Sequence, residues 1–398
     1  MKCQAMPVPT LYTMGQNRSG SRIVLIDFLR GLCLLVMTVD HLPETLIQKF
    51  TWQGFGFFSA AECFVFLSGL VAGRVYGRIA VTRGLVVLQQ CALRRAAILY
   101  LSNAVLMTLM ILAAMAELVT LGRGFFPDWS LWSKFMLFVA SPINADILRM
   151  YCVFLLLLPA VIWALMNDRL YYLLAISGGL WLAASQGYGM TALPEGAGYF
   201  DLMSWQLLFV AGIYFGFTPA SKFTKSPTPS SWTAVCLAVV GTFFVVRRWH
   251  FLTGQEWSPY FEWLFHWKRT LPLGCLLNFA AFSAVVYRFR RPLTAVARTS
   301  PGRAIAFLGQ HSLQVFVWSV AVTMLASGAE NRWIEPSPQY YPLAVTGLIL
   351  ASCFIPARWH AQWRARNPKT LDSVSAEVTG SPYRHSPQVT AGSHRLRA

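Results

Sequence analysis

The sequence predicts an all-α polytopic membrane protein, and three observations lead there. Hydrophobic residues fill 56% of the 398 positions and charged residues only 12%, about half the charged share of soluble globular chains. The apolar residues lie in long unbroken runs instead of alternating every second position, which argues against a membrane β-barrel. The basic residues gather at the ends of those runs, where headgroups and topology place them.

About ten runs emerge, near the roughly 20 residues that one crossing needs. They cover about 23–41, 55–77, 95–120, 145–167, 170–187, 203–218, 232–247, 272–288, 304–327 and 340–357. Only Asn167-Asp168-Arg169 separates the fourth run from the fifth, which predicts a tight helical hairpin. The apolar stretch from Leu131 to Ala140 is too short to cross and reads as interfacial or re-entrant, with Trp129 and Trp132 at headgroup level. Residues 1–22 are polar, and no small-residue cleavage site follows the first run at the usual place. That run is therefore expected to be an uncleaved helix and not a signal peptide. From about residue 358 the chain is rich in Pro, Ser, Thr, Gly and Arg without periodicity, as disordered tails are. The expected organisation is a cytoplasmic tail at 1–22, a transmembrane domain at 23–357 and a disordered cytoplasmic tail at 358–398.

The connections on one side of the runs hold more than twice the Lys and Arg of the other side. Arg78, Arg83, Arg94 and Arg95 follow the second run, and Arg288, Arg290, Arg291, Arg298 and Arg303 follow the eighth. Positive charge marks the cytoplasmic side, so both termini are placed in the cytoplasm of a bacterial inner membrane. One outer connection dissents, with Arg247, Arg248, Lys268 and Arg269. The same stretch, about 248–271, is rich in Trp, Tyr, His and Glu, which suits either an aromatic belt at the interface or contact with carbohydrate. The formal charge of +17 is thus accounted for by topology and lipid headgroups, and nucleic acid is not an expected partner. The eight cysteines form no C-x-x-C or Cys/His spacing, so free core thiols are expected, with no metal site and no bound cofactor. No internal repeat suggests a two-fold transporter architecture.

Ionisable groups inside a span cost several kcal/mol unless paired or hydrated, which makes each a candidate functional residue. The first run holds Asp27, Arg30, Asp40 and His41. Asp27 and Arg30 stand three residues apart on one helical face, the spacing of an ion pair that could serve chemistry or only packing. Arg30 and His41 are eleven residues apart, three turns plus about 20°, so they share a face about 16 Å apart along the axis. A stripe with a fixed cation at depth and a titratable imidazole at the outer end suits acyl transfer, where a base takes a hydroxyl proton. A capping histidine at the interface has the same spacing. Glu62, near the outer end of the second run, and Asp40 are the two carboxylates available to orient His41. Ser68-Gly69 and Gly73 offer a small-residue face, which fits packing as well as substrate contact. Gln310, His311 and Ser312 open the ninth run in its cytoplasmic half, as donor-path groups or as interhelical hydrogen bonders. Asn144, Asp146 and Arg149 open the fourth on the outer side.

Together these segments resemble the OpgC family. The resemblance is carried by Asp27-Phe28-Leu29-Arg30-Gly31, Asp40-His41, the Gly54–Gly56 stretch, Ala61-Glu62 and Phe64-Val65-Phe66-Leu67-Ser68-Gly69. Asp146-Ile147-Leu148 and Gly309-Gln310-His311-Ser312-Leu313-Gln314-Val315-Phe316 continue it, in order, to the ninth run. OpgC proteins are succinyltransferases of osmoregulated periplasmic glucans and are similar to the acyltransferase-3 superfamily. That superfamily carries a basic residue, ten residues and a histidine in its first span, as Arg30-x10-His41 does here. The resemblance implies a catalytic His41, an Arg30 serving a cytoplasmic acyl-CoA co-substrate (succinyl-CoA in that family), and a periplasmic glucan acceptor. His311 departs from the family pattern, which has asparagine there. The resemblance leaves open an acetyl donor or another envelope polysaccharide. On the residues alone, a proton-coupled secondary transporter or a scaffold is the rival class.

Overall fold

The structure is a computed structural model, and it describes residues 23–42, 45–119, 121, 127–140, 145–189, 200–219, 230–254, 257–258, 261, 264–265, 268–333 and 343–367. Residues 1–22 and 368–398, expected as tails, and Asn144 lie outside the described residues. Among the described residues there is no strand, and every expected apolar run is helical.

Helix α1 spans Val24–Asp40 and is followed by a 3₁₀ turn, Leu46–Phe50, and the short α2, Trp52–Phe55. The next helices are α3 Ala60–Arg83, α4 Leu85–Met115, α5 Trp129–Met136, α6 Asp146–Met166 and α7 Leu170–Ala183. They are followed by α8 Leu202–Phe217, α9 Ser230–Thr253, α10 Leu273–Arg288, α11 Arg290–Ala297 and α12 Ser300–Gln310. The last are α13 Ser312–Trp333, α14 Leu343–Ser352 and α15 Phe354–Arg366. Among the described residues five helices are long and apolar enough to cross a membrane, α14 and α15 counting together, and six if the bent pair of α12 and α13 is one span. Helices α8 and α10, at 16 residues each, rise only about 24 Å, short of a hydrocarbon layer of about 30 Å.

The hairpin between α6 and α7 forms where expected. Asp168 turns the chain with φ 53°, and the Asn167 side chain donates to the Trp163 carbonyl at 2.7 Å. Helix α5 has 8 residues, too few to cross. Asp128 caps it by accepting from Leu131 N at 2.6 Å, and Trp132 ties it to α4 by donating to Thr108 Oγ1 at 3.0 Å. Helix α4 buries Asn103, Leu106, Met107 and Met110 while Leu101, Val105, Leu109 and Leu112 stay exposed. An apolar outer stripe over an inner face that includes an amide is how a helix presents itself to lipid.

Two expectations are corrected. The run at 304–327 is not one straight helix: α12 and α13 meet at 88°. The turn tightens at His311, whose backbone N donates to Leu308 O at 3.1 Å instead of continuing the α-helical pattern. The last run also does not end at 357, because α15 continues to Arg366 beyond a break at Cys353. Its stripe of Cys353, Ala357, His360 and Arg364 turns inward, to degrees from fully to half buried.

Glycines set the closest approaches. Gly69 and Gly73 of α3 interlock with Gly212 and Gly216 of α8. A methyl group on any of the four would collide with the carbonyl of Phe209, Ile213, Phe66 or Leu70 respectively. Without a hydrophobic drive between helices in lipid, such small-residue seams let van der Waals contact hold a pair together. The same device joins α1 to α12, where a Cβ on Gly31 would strike the Ile305 carbonyl and one on Gly309 the Asp27 carbonyl. Gly212→Ala is expected to cost about 1–3 kcal/mol by overpacking. Gly241→Ala, at a helical site with open space around it, is expected to be neutral or stabilising by up to about 1 kcal/mol. Thermal unfolding of the detergent-solubilised variants checks both, and equal midpoints would refute the seam.

Candidate functional site

The seam of α1 on α12 delivers Arg30 to the bend between α12 and α13. There its Nη2 donates to Ser312 Oγ at 2.6 Å, and its Cζ lies 5.7 Å from the centre of the Phe64 ring. Its Nε is buried with no hydrogen-bond partner among the described residues. The expected pair with Asp27 is replaced by this bond to Ser312, although the charge of Asp27, one turn earlier, still acts on the guanidinium.

Arg30 lines a cavity of about 230 Å³. Its other walls include Phe64, Ser68 and Tyr76 from α3, Arg95 from α4, Ile147, Leu148 and Tyr151 from α6, and Ser312 and Phe316 from α13. The Tyr151 hydroxyl donates to the Phe64 carbonyl at 3.1 Å and also neighbours Ser68. The wall is therefore largely apolar, with two guanidiniums, Arg30 and Arg95, and a few hydroxyls among its lining residues, the composition of a small-molecule site. Three expected residues, Arg30, Ser68 and Ser312, meet here. Arg95, one of the inner basic residues that suit the phosphates of the expected acyl-CoA, joins them, as do Tyr151 and Tyr76, which were not singled out. For Tyr151 a signal existed: a phenol in an apolar run, five residues after Asp146.

His41 lies at the other end of α1 and is not among the cavity's lining residues. Its Nδ1 contacts the Met37 carbonyl at 2.6 Å. A carbonyl can only accept, so Nδ1 carries the proton in the neutral ring, and the basic lone pair is left on Nε2. Between the two ends, on the stripe that Arg30 and His41 share, Leu34 and Met37 are buried. The structure thus joins the two groups by one helix face and separates them by two packed apolar side chains.

The carboxylates are placed as follows. Asp40 accepts from Gln53 Nε2 at 3.1 Å. Gln53 in turn accepts through its carbonyl from Arg247 Nε at 3.1 Å, and Arg248 Nη2 donates to the Lys49 carbonyl at 2.8 Å. Two of the dissenting basic residues thus lie in α9 and hold the chain that follows α1. Glu62 is fully buried. It completes the cap of α3, accepting from Ser59 N at 2.9 Å and from the Ser59 hydroxyl, and it also accepts from Cys275 Sγ at 3.2 Å. Its neighbour Cys63 meets Cys33 in the middle of α1, eight residues or about 12 Å before His41. Glu62 is therefore set at a different depth from the imidazole. Asp146 forms a buried pair with Arg149 at 3.6 Å, and Arg149 also donates to the Phe138 carbonyl at 3.2 Å. This pair anchors the start of α6, from which Ile147 and Leu148 enter the cavity wall.

Gln310 is exposed, while His311 is buried and its Nδ1 lies 2.8 Å from Nδ1 of His360. Aromatic rings in the last turns of α9 and just after it stack on one another. His250 and Trp257 have ring centres 3.6 Å apart, Trp257 and Phe261 4.2 Å, and Phe261 and Phe265 4.4 Å. Phe57 closes the cluster against Phe265 at 5.0 Å. Among the described residues no group of His, Cys, Asp and Glu could hold a metal.

Among the described residues the protein is all-helical, and its several apolar helices are compatible with a membrane protein. More particularly, it belongs to the OpgC protein family, whose model matches residues 22–365. Membership implies an acyltransferase for periplasmic glucans. No curated protein and no solved structure matches the chain.

Removing the Ser312 hydroxyl would leave a second buried guanidinium donor unmet. Ser312→Ala is expected to destabilise the protein by about 1–3 kcal/mol, seen as a lower thermal midpoint; Ser312→Thr, which keeps the hydroxyl, should recover most of it. An unchanged midpoint in Ser312→Ala would show that the 2.6 Å bond contributes nothing.

Proposed function

We propose that the protein is an inner-membrane O-acyltransferase that moves a succinyl group from cytoplasmic acyl-CoA to hydroxyls of a periplasmic glucan. In this reading ten helical segments embed the chain and both termini are cytoplasmic. The observation that supports it most is a single helix carrying a guanidinium in a cavity at one end and, at the other, an imidazole whose Nδ1 is held by the Met37 carbonyl, which puts the basic nitrogen at Nε2.

His41 Nε2 removes the proton of a glucan hydroxyl while the oxygen attacks the thioester carbonyl. The carbon–sulfur bond breaks, the ester forms, and the imidazolium returns its proton to the leaving thiolate. Met37, through its carbonyl, holds the tautomer that this step requires. Asp40, adjacent to His41 and fixed by Gln53, supplies negative charge beside the imidazolium, a role its position suits better than that of Glu62. Arg30, with Ser312 and Ser68, positions the donor arm, and Asp27 balances part of its charge. Leu34 and Met37 form the layer that the arm must part to reach His41, which also keeps water from the thioester.

His41→Ala is expected to abolish glucan succinylation, a loss of at least about 10²-fold, while the protein still accumulates in the membrane. Mass spectrometry of periplasmic glucans from a complemented deletion strain reads it, and normal succinyl content would end the proposal. Met37→Trp is expected to block transfer without preventing donor binding at Arg30. Wild-type turnover in that variant would mean that the acyl group takes another route.

A further inference from the structure

The cavity around Arg30 opens beside a second set of cations that the proposed chemistry does not use. Arg95, in its wall, is an electrostatic neighbour of Arg364, and both act on His360. Arg95 comes from α4, whereas His360 and Arg364 come from α15, at the far end of the chain. Both α15 residues belong to the inward stripe with Cys353 and Ala357, while Arg358, Trp359 and Arg366 on the other side are exposed. Helices usually turn cations outward, so an inward arginine here has a reason. His360 is fixed by its 2.8 Å contact with His311, and His311 precedes the Ser312 that holds Arg30. Among the described residues no carboxylate makes a salt bridge with Arg95 or Arg364. Deeper in the same cavity, Arg30 Nε is buried and also lacks a partner. Like charges converge from separate helices without counter-ions, which is the arrangement of an anion site.

We propose that α15 completes a phosphate-binding mouth on the Arg30 cavity, formed by Arg95, Arg364 and His360, for a soluble ligand with a phosphorylated end and an extended chain. The phosphates rest at the mouth, and the chain runs inward past Tyr76 and Ser68 toward Arg30. This deepens the acyl-CoA reading and rests on it. The C-terminal helix, expected from sequence to be the start of a disordered tail, thereby becomes part of the donor site.

The test uses the full-length protein in nanodiscs of zwitterionic lipid, with coenzyme A and inorganic tripolyphosphate as probes. Arg95→Gln and Arg364→Gln are each expected to weaken both probes by about tenfold and to flatten the salt dependence, with kcat at saturating donor within about twofold. Arg364→Lys should retain most of the affinity, which separates lost charge from lost folding. Arg366→Gln, on the exposed face of the same helix, should bind as the wild type does. Unchanged affinity in Arg364→Gln, or equal weakening in Arg366→Gln, overturns the site and leaves the acyltransferase reading standing. Arg364-dependent binding of tripolyphosphate without binding of coenzyme A supports the site and removes the acyl-CoA reading. If nanodiscs containing anionic phospholipid abolish probe binding at equal salt, the site belongs to lipid headgroups and the soluble-ligand form is overturned.

Discussion

A guanidinium inside an apolar bundle is the constraint around which much of this molecule is arranged. Moving such a charge out of water costs several kcal/mol even after relaxation, and a single helix cannot offset that. Arg30 is kept in place by two groups from other helices, the Ser312 hydroxyl and the face of Phe64, and by the longer-range charge of Asp27 on its own helix. The bond to Ser312 depends on α1 lying against α12 and on α13 starting at a sharp angle to it. The bend and the buried cation therefore support one another. A straight helix through Gln310 and Ser312 would carry the hydroxyl away from Arg30.

The backbone contacts that permit this are made by residues without side chains. Gly31 and Gly309 let α1 and α12 meet backbone to backbone, and Gly69, Gly73, Gly212 and Gly216 do the same for α3 and α8. In lipid the drive for association is contact itself, so a helix pair that approaches closely is rigid as well as stable. Rigid walls matter for a cavity of about 230 Å³, because catalysis and selectivity both depend on fixed positions of a few polar atoms. Flexibility would be needed at one place only, the Leu34 and Met37 layer between the cavity and His41.

Much of the helical framework was legible because lipid imposes a simple rule on sequence. Every run that reads as apolar became helical, and the hairpin at Asn167–Arg169 and the short α5 appeared where expected. The stripe from Arg30 to His41 was readable because both residues lie on one helix. The less legible parts depended on partners far away in the chain. The i, i+3 spacing of Asp27 and Arg30 suggested an ion pair, yet a serine 282 positions later took the bond. Glu62 looked like a partner for His41 because the connecting loop is short; in the structure it caps α3 beside the middle of α1 and accepts from Cys275. Tyr151 was passed over as one more aromatic in a span. His360 and Arg364 were assigned to a tail, since a short polar helix has no periodic apolar signature to announce it.

The sequence by itself determined the apolar character of the helices, the helical class and the one-face placement of Arg30 and His41 on α1. Those properties follow from hydropathy and from the 3.6-residue repeat, which are local. The tertiary structure alone decided which hydroxyl holds Arg30, where the ninth run bends, and that α15 sets His360 against His311. Such facts depend on contacts between residues tens to hundreds of positions apart, and no local periodicity encodes them. His41 shows both levels: its place in the chain was visible in the spacing, but the tautomer of its ring was set by a carbonyl one turn away.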